Sequence, residues 1–137
     1  MSLFVDTSAF YAVTDSHDRH HARAAELLRD ADSLTTTDHV LVESWRLIRD
    51  FGGYANAERF WAAIRKGLAT VETVLPGDLD TAWRIAEAFP DQDFSIVDRT
   101  SFAVMERLGV TVAASFDAHF SIYRFGPRRE RAFEVRR

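Results

Sequence analysis

The 137-residue chain contains no cysteine, which removes disulfide frameworks and every thiolate metal site from consideration. Lysine is almost missing too: Lys66 is the only one, so nearly all of the positive charge is arginine. No apolar run approaches the length of a membrane span. The first, residues 3–5, is too short for a signal peptide and follows no basic stretch. A soluble, cytoplasmic protein with no membrane partner is therefore expected. Repeats, low-complexity tracts and linker-like segments are also lacking, so residues 1–137 read as a single domain, long enough to bury a core. The formal net charge of −4 and the pI near 5.7 argue mildly against a generic nucleic-acid-binding surface.

That net charge hides an asymmetry. The segment YRFGPRRERAFEVRR is rich in arginine, while acidic residues recur at the ends of apolar segments. Guanidinium forks suit phosphate and carboxylate recognition, although a general compositional preference for arginine accounts for them equally well.

Short apolar segments alternate with amphipathic ones. Residues 3–5 read as a buried strand leading into a helix over 7–15. A second helix, 18–31, carries Ala22, Ala25, Leu27 and Leu28 on its apolar side. SLTTT reads as a strand, followed by a helix over 39–51 that Asp38 caps and Gly52 and Gly53 stop. Phe60, Ile64 and Leu68 recur at four-residue spacing along a helix over 56–69. TVETVLP is a strand closed by Pro76. Helices over 78–89 and 95–109 follow, then an inner strand, VTVAAS, and an edge strand within FEVRR. Trp45, Trp61 and Trp83 fit core-facing helical positions. The alternation predicts an α/β domain whose central, mainly parallel sheet is covered on both faces.

Ligands of such sheets bind at the carboxyl ends of the strands. Asp6 ends the first strand, where an ionised carboxylate loses water and needs a partner. Asp117 follows the last inner strand after only Phe116, Glu43 lies among Val40, Leu41, Val42 and Trp45, and Asp98 opens a helix beside Val97. Three of the four have a structural explanation of their own, and Asp6 is the hardest to dismiss, because an Asp ending a buried strand is rarely structural. Ser95 and Asp98 match a capping box, Glu43 fits a solvated helix face, and Asp117 fits a turn cap. Together, however, repelling carboxylates on one rim call for a hard, oxygen-loving cation such as Mg²⁺, which also recruits phosphate oxygens. The SHDRHH stretch, with His17, His20 and His21, reads as a solvated turn at a helix start, because no second ligand cluster accompanies it. His119, two residues past Asp117, is the more interesting histidine and fits a local cap equally well, and Asp91 and Asp93 carry no assigned role.

Taken together, FVDTSAFYA, TTTDHVLVESW, FSIVDRTSFAVMERLG and AASFDAHF resemble the PIN-domain ribonucleases, most closely the VapC-like toxins of bacterial toxin–antitoxin pairs. The likeness spans nearly the whole chain, with the four motifs in order. It implies a PIN-like three-layer α/β/α fold and a Mg²⁺- or Mn²⁺-dependent endoribonuclease. Asp6, Asp98 and Asp117 would hold the metal, Glu43 would complete the acidic pocket, and Ser8, beside Thr7, would orient a carboxylate or a water. It further implies an RNA substrate, a homodimer, and a cognate antitoxin whose tail enters the acidic groove. A housekeeping RNA-maturation nuclease shares the same catalytic residues. An inactive RNA- or protein-binding module would not need all four acids. An aspartyl-phosphate enzyme of the haloacid-dehalogenase type would carry a second Asp where Ser8 stands.

Overall fold

Leu3, Phe4 and Val5 are all buried, without the alternation of a half-exposed strand. The cause is position: β1 (Ser2–Val5) is the middle of a five-stranded parallel sheet. A computed structural model describes residues 2–137. After β1 come α1 (Thr7–Thr14), α2 (His21–Asp30), β2 (Ser33–Thr37), α3 (Asp38–Gly52), α4 (Tyr54–Arg65), β3 (Thr70–Glu72) and α5 (Pro76–Ala88). They are followed by α6 (Ile96–Leu108), β4 (Val112–Ala114), α7 (His119–Ile122) and β5 (Glu134–Arg136). The strand order is β3-β2-β1-β4-β5, with every pairing parallel. Leu3 lies opposite Leu34, while Phe4 faces Thr35 on one side and Ala113 on the other. Parallel strands joined by helical crossovers are covered on both faces and become uniformly apolar.

The helices pack pairwise, α1 on α2 and α3, α3 on α4, and α5 on α6. Along α6 every residue from Thr100 to Met105 is buried, so this helix is interior all round. Its Phe102 stacks on Tyr123 at 4.4 Å and meets Phe120 edge-on at 4.9 Å. These rings fill the core below α7 and fix where the segment after β4 can run.

Several boundaries differ from the sequence expectation for local reasons. Thr37 rather than Asp38 caps α3, its hydroxyl accepting the Val40 N–H at 3.0 Å. Asp38 instead accepts the Val74 N–H at 3.1 Å, tying α3 to the segment after β3. The helix expected from residue 18 begins at His21, because Asp15 and Asp18 accept the N–H groups of His17 and His20 in preceding turns. Its inward face is Ala24, Leu27 and Leu28, leaving Ala22 exposed. The chain leaves α4 at Arg65 and turns at Gly67, whose φ of +102° suits glycine, so Leu68 falls off the apolar stripe. Pro76 opens α5 as its first residue instead of closing a strand. The tryptophans depart most: Trp61 is 45% and Trp83 71% exposed. The inward face of α4 is Ala57, Phe60 and Ile64 and that of α5 is Ala82 and Ile85, which turns the neighbouring indoles outward.

An ion pair between buried Asp78 and solvent-exposed Arg107 anchors α5 to α6. Arg107 reaches both carboxylate oxygens of Asp78, at 3.0 and 2.9 Å, and Asp78 also accepts the Leu75 N–H at 2.8 Å. Burial pushes the Asp78 carboxyl up, but the Arg107 fork and the Leu75 N–H outweigh it and hold it below the ordinary range. Arg107→Ala, leaving buried Asp78 with only the Leu75 N–H, is expected to destabilise the fold by roughly 1–2 kcal/mol. That is less than the ~3–5 kcal/mol of a wholly buried pair, because Arg107 is partly solvated. Urea unfolding of the variant checks the value.

Candidate active site

The chain runs outward from β1 to β2 and β3 on one side, then returns to place β4 and β5 on the other. Such a reversal opens a crevice at the carboxyl ends of the two central strands, here β1 and β4. Asp6 follows β1 directly, its N–H held by the Ala114 carbonyl at 3.1 Å. Ser115, Phe116 and Asp117 follow β4. Two segments more than a hundred residues apart therefore meet at one rim.

Asp6 is 4% exposed, and its Oδ2 accepts the hydroxyls of Ser8 at 3.0 Å and Ser115 at 2.9 Å. Among the described residues no cation pairs with it. Burial and the nearby charge of Asp98 push its carboxyl up to about 6, against the lowering effect of the two serines and the Thr7 backbone. Ser8 also accepts the Phe116 N–H at 2.9 Å, and the Ser115 hydroxyl accepts the Asp117 N–H at 3.1 Å. The two serines thus join the β1 and β4 ends into one network around a single carboxylate.

Asp98 helps to cap α6 and also faces a second group of polar side chains. Ser95 caps α6 by accepting the Asp98 N–H at 3.0 Å, and Asp98 Oδ2 accepts the Ser95 N–H at 3.1 Å, a complete capping box. The same Oδ2 lies 2.7 Å from His119 Nδ1. His119 is the hub that the sequence left unassigned. Its backbone N–H donates to Asp117 Oδ1 at 2.8 Å, its Nδ1 lies 3.5 Å from that oxygen, and its Nε2 lies 3.3 Å from Asp93 Oδ1. Burial opposes charging this ring, but the Asp98 hydrogen bond and the charges of Asp117, Asp98 and Asp93 prevail and raise its pKa.

Ligand atoms of Asp98, Asp117 and His119 lie within 4.8 Å of one another. Glu43 stands apart from this group. It is half-buried on α3 and shares an open hollow of about 540 Å³ with His39, Ile96 and Val97 at the start of α6, beside Asp98. Asp91 is exposed. The donors converging here are mainly carboxylate oxygens, with buried Asp6 near Asp98 and held by hydroxyls rather than by a cation. That chemistry fits a hard divalent cation, and a single imidazole among the donors does not exclude Mn²⁺.

The model of the PIN-domain family matches residues 3–126. The chain belongs to the PIN-domain family. This PIN domain is 33% identical over 120 residues to VapC20 of Mycobacterium tuberculosis, a 23S rRNA-specific endonuclease, across 87% of this chain and 92% of that one. The crystal structure of the M. tuberculosis VapC20, a Sarcin-Ricin loop cleaving toxin, superposes with a TM-score of 0.78 at 34% identity, covering 85% and 90% of the two chains. The PIN fold recurs at 9% identity in VapBC2 from Rickettsia felis bound to a promoter DNA fragment, with a TM-score of 0.65 over 86% and 89% of the chains.

Sequence reasoning missed one member of the site, Ser115, and left the role of another, His119, open. A signal for the first existed, since Ser115 follows a strand in register with β1 and precedes Asp117 by two residues. His119 gave a weaker one, because nothing local shows that α6 brings Asp98 to it.

Proposed function

We propose that this PIN domain is a divalent-metal-dependent endoribonuclease and that it acts as the toxin of a toxin–antitoxin pair. The observation that carries the reading is the convergence of Asp98, Asp117 and His119 at the rim where buried Asp6 is held by hydroxyls rather than by a cation. Asp6, Asp98 and Asp117 would hold a Mg²⁺ or Mn²⁺ ion, with Glu43 extending the acidic pocket toward α3. A cation bound there offsets the charge of the scissile phosphate and eases deprotonation of the attacking water. The protein's own part is positional. Ser8 and Ser115 fix the Asp6 carboxylate, while the Ser95 N–H and His119 fix that of Asp98. Likeness to a 23S rRNA endonuclease makes a ribosomal RNA loop the first substrate to try.

A protein partner is supported by the surface. Leu41, Val42, Trp45 and Trp61 line an apolar hollow of about 270 Å³ between α3 and α4, and Val42, Phe51 and Tyr54 are exposed on the same helices. Apolar surface of this kind marks contacts with another chain, here an antitoxin or a second copy in a homodimer.

The test is chemical. Cleavage should require Mg²⁺ or Mn²⁺, stop in EDTA, and leave 5′-phosphate and 3′-hydroxyl ends, as attack by water dictates. Products with 2′,3′-cyclic phosphates formed in EDTA would mean attack by the RNA's own 2′-hydroxyl and would overturn the metal mechanism. Expression of the chain alone should arrest growth. Undisturbed growth alongside cleavage by the purified protein would replace the toxin reading with RNA maturation.

A further inference from the structure

The SHDRHH turn and the arginine-rich segment, neither of which the acid cluster uses, meet beside it. His20, the residue before α2, lies flat on Phe116, with ring centres 4.2 Å apart and planes 7° apart. Phe116 stands between Ser115 and Asp117, so the stack borders the acidic rim. The edge strand β5 runs parallel to β4, with Arg136 in register with Ala114. The Arg136 carbonyl accepts the Ser115 N–H at 3.2 Å. The backbone oxygen of Arg137 accepts from Arg23 Nε of α2 at 3.5 Å. The start of α2 and the end of β5 therefore close around the same corner.

Four guanidiniums belong to this corner. Arg19 Nε donates to His20 Nε2 at 3.1 Å. Arg23 pairs with Glu26 at 3.1 Å and Arg136 with Glu134 at 3.1 Å, both on solvated side chains. Exposed pairs of this kind are weak, and each leaves most of the five guanidinium N–H donors free. The Arg137 guanidinium has no partner among the described residues. An aromatic platform beside several arginines is the pairing that single-stranded RNA recognises, bases stacking on rings and phosphates meeting guanidiniums.

We propose that the start of α2, Phe116 and the end of β5 form an RNA-binding flank of the acid cluster. The His20–Phe116 stack takes a base, and Arg23, Arg136 and Arg137 take the adjoining backbone phosphates. The proposal rests on the ribonuclease reading and deepens it: the flank holds the strand on one side of the scissile bond, where the acids themselves repel it.

Fluorescence anisotropy of a labelled single-stranded RNA of random sequence, measured in EDTA so that nothing is cut, tests the flank apart from catalysis. Removing Arg136 and Arg137 together as Ala should weaken binding about ten-fold at low salt and lower the log–log salt slope by about 1.4, two contacts at ~0.7 each. His20→Ala should weaken binding about five-fold or more with little change in slope, and His20→Phe should restore it. Arg29→Ala, about 13 Å farther along α2 than His20, should bind as the parent does. Parent-like binding by both the arginine and the His20→Ala variants, or an equal loss in Arg29→Ala, overturns the flank. Parent-like cleavage in those variants overturns it too, while leaving the nuclease reading intact. Flank-dependent binding by a parent protein that cuts no RNA with Mn²⁺ present removes the nuclease reading and keeps the flank.

Discussion

Asp98→Asn is expected to lower RNA cleavage by about two to three orders of magnitude, the effect of removing one charge-stabilising group from a preorganised site. The fold should survive the change. The side chain keeps its shape and an oxygen able to accept the Ser95 N–H, so the capping box at the start of α6 persists. An oxygen also remains for His119. What disappears is the negative charge proposed to hold the divalent cation. Initial cleavage rates with saturating Mn²⁺, set beside thermal melts, separate the two roles of this residue. An enzyme within ten-fold of the parent would reduce Asp98 to a helix cap. An inactive protein that melts several degrees early would mean that the cap had been broken.

That Asp98 both caps α6 and faces the cluster explains why its sequence signature is ambiguous. Ser95 and Asp98 three residues apart spell a cap, and only Asp117 and His119, brought in from the far end of β4, show that the same oxygen faces a cluster. The fold was more legible than the site. Uniform apolar runs in β1 and β4 and the helices between strands are local signals, and they dictate a parallel sheet. Its reversal at β1 places Asp6 and Asp117 at one rim. What stayed hidden depends on packing. Trp83 lies on an amphipathic helix, and only the contacts of Ala82 and Ile85 decide that the indole faces outward. Leu68 continues a four-residue stripe that ends because Gly67 turns the backbone, not because the side chains change. Ser115 and His20 are unremarkable until Asp6 and Phe116 are beside them. Glu43 is the converse case, an acid whose sequence context marks it for the pocket while the three-residue cluster forms without it.

Asp6→Asn is expected to stabilise the metal-free protein by about 3 kcal/mol at pH 7–8 while removing its activity. The sign follows from linkage. The Asp6 carboxyl titrates at about 6 in the folded chain against 3.8 in an unfolded one, so folding favours the protonated form. Below pH 3.8 the group is protonated in both states and its contribution is fully favourable. That contribution is lost as the pH rises through 6, where the folded chain must ionise a buried carboxyl next to Asp98. Two units of difference at ~1.4 kcal/mol each give the ~3 kcal/mol, or roughly 10 °C in melting temperature for a domain of this size. The amide keeps an oxygen for the Ser8 and Ser115 hydroxyls, so the hydrogen bonds that position Asp6 need not be broken. Melting curves in EDTA should therefore separate parent and variant widely at pH 8 and bring them together near pH 4. Mn²⁺ acts in the opposite sense. At a hundred times its dissociation constant it should add roughly 2.7 kcal/mol to the parent and much less to Asp6→Asn, closing the gap at pH 8 from the parent's side. A gap that is independent of pH and of Mn²⁺ would mean that Asp6 faces neither Asp98 nor a cation. The predicted pattern would instead describe a carboxylate held at a loss to the metal-free fold, a loss that a bound cation makes good.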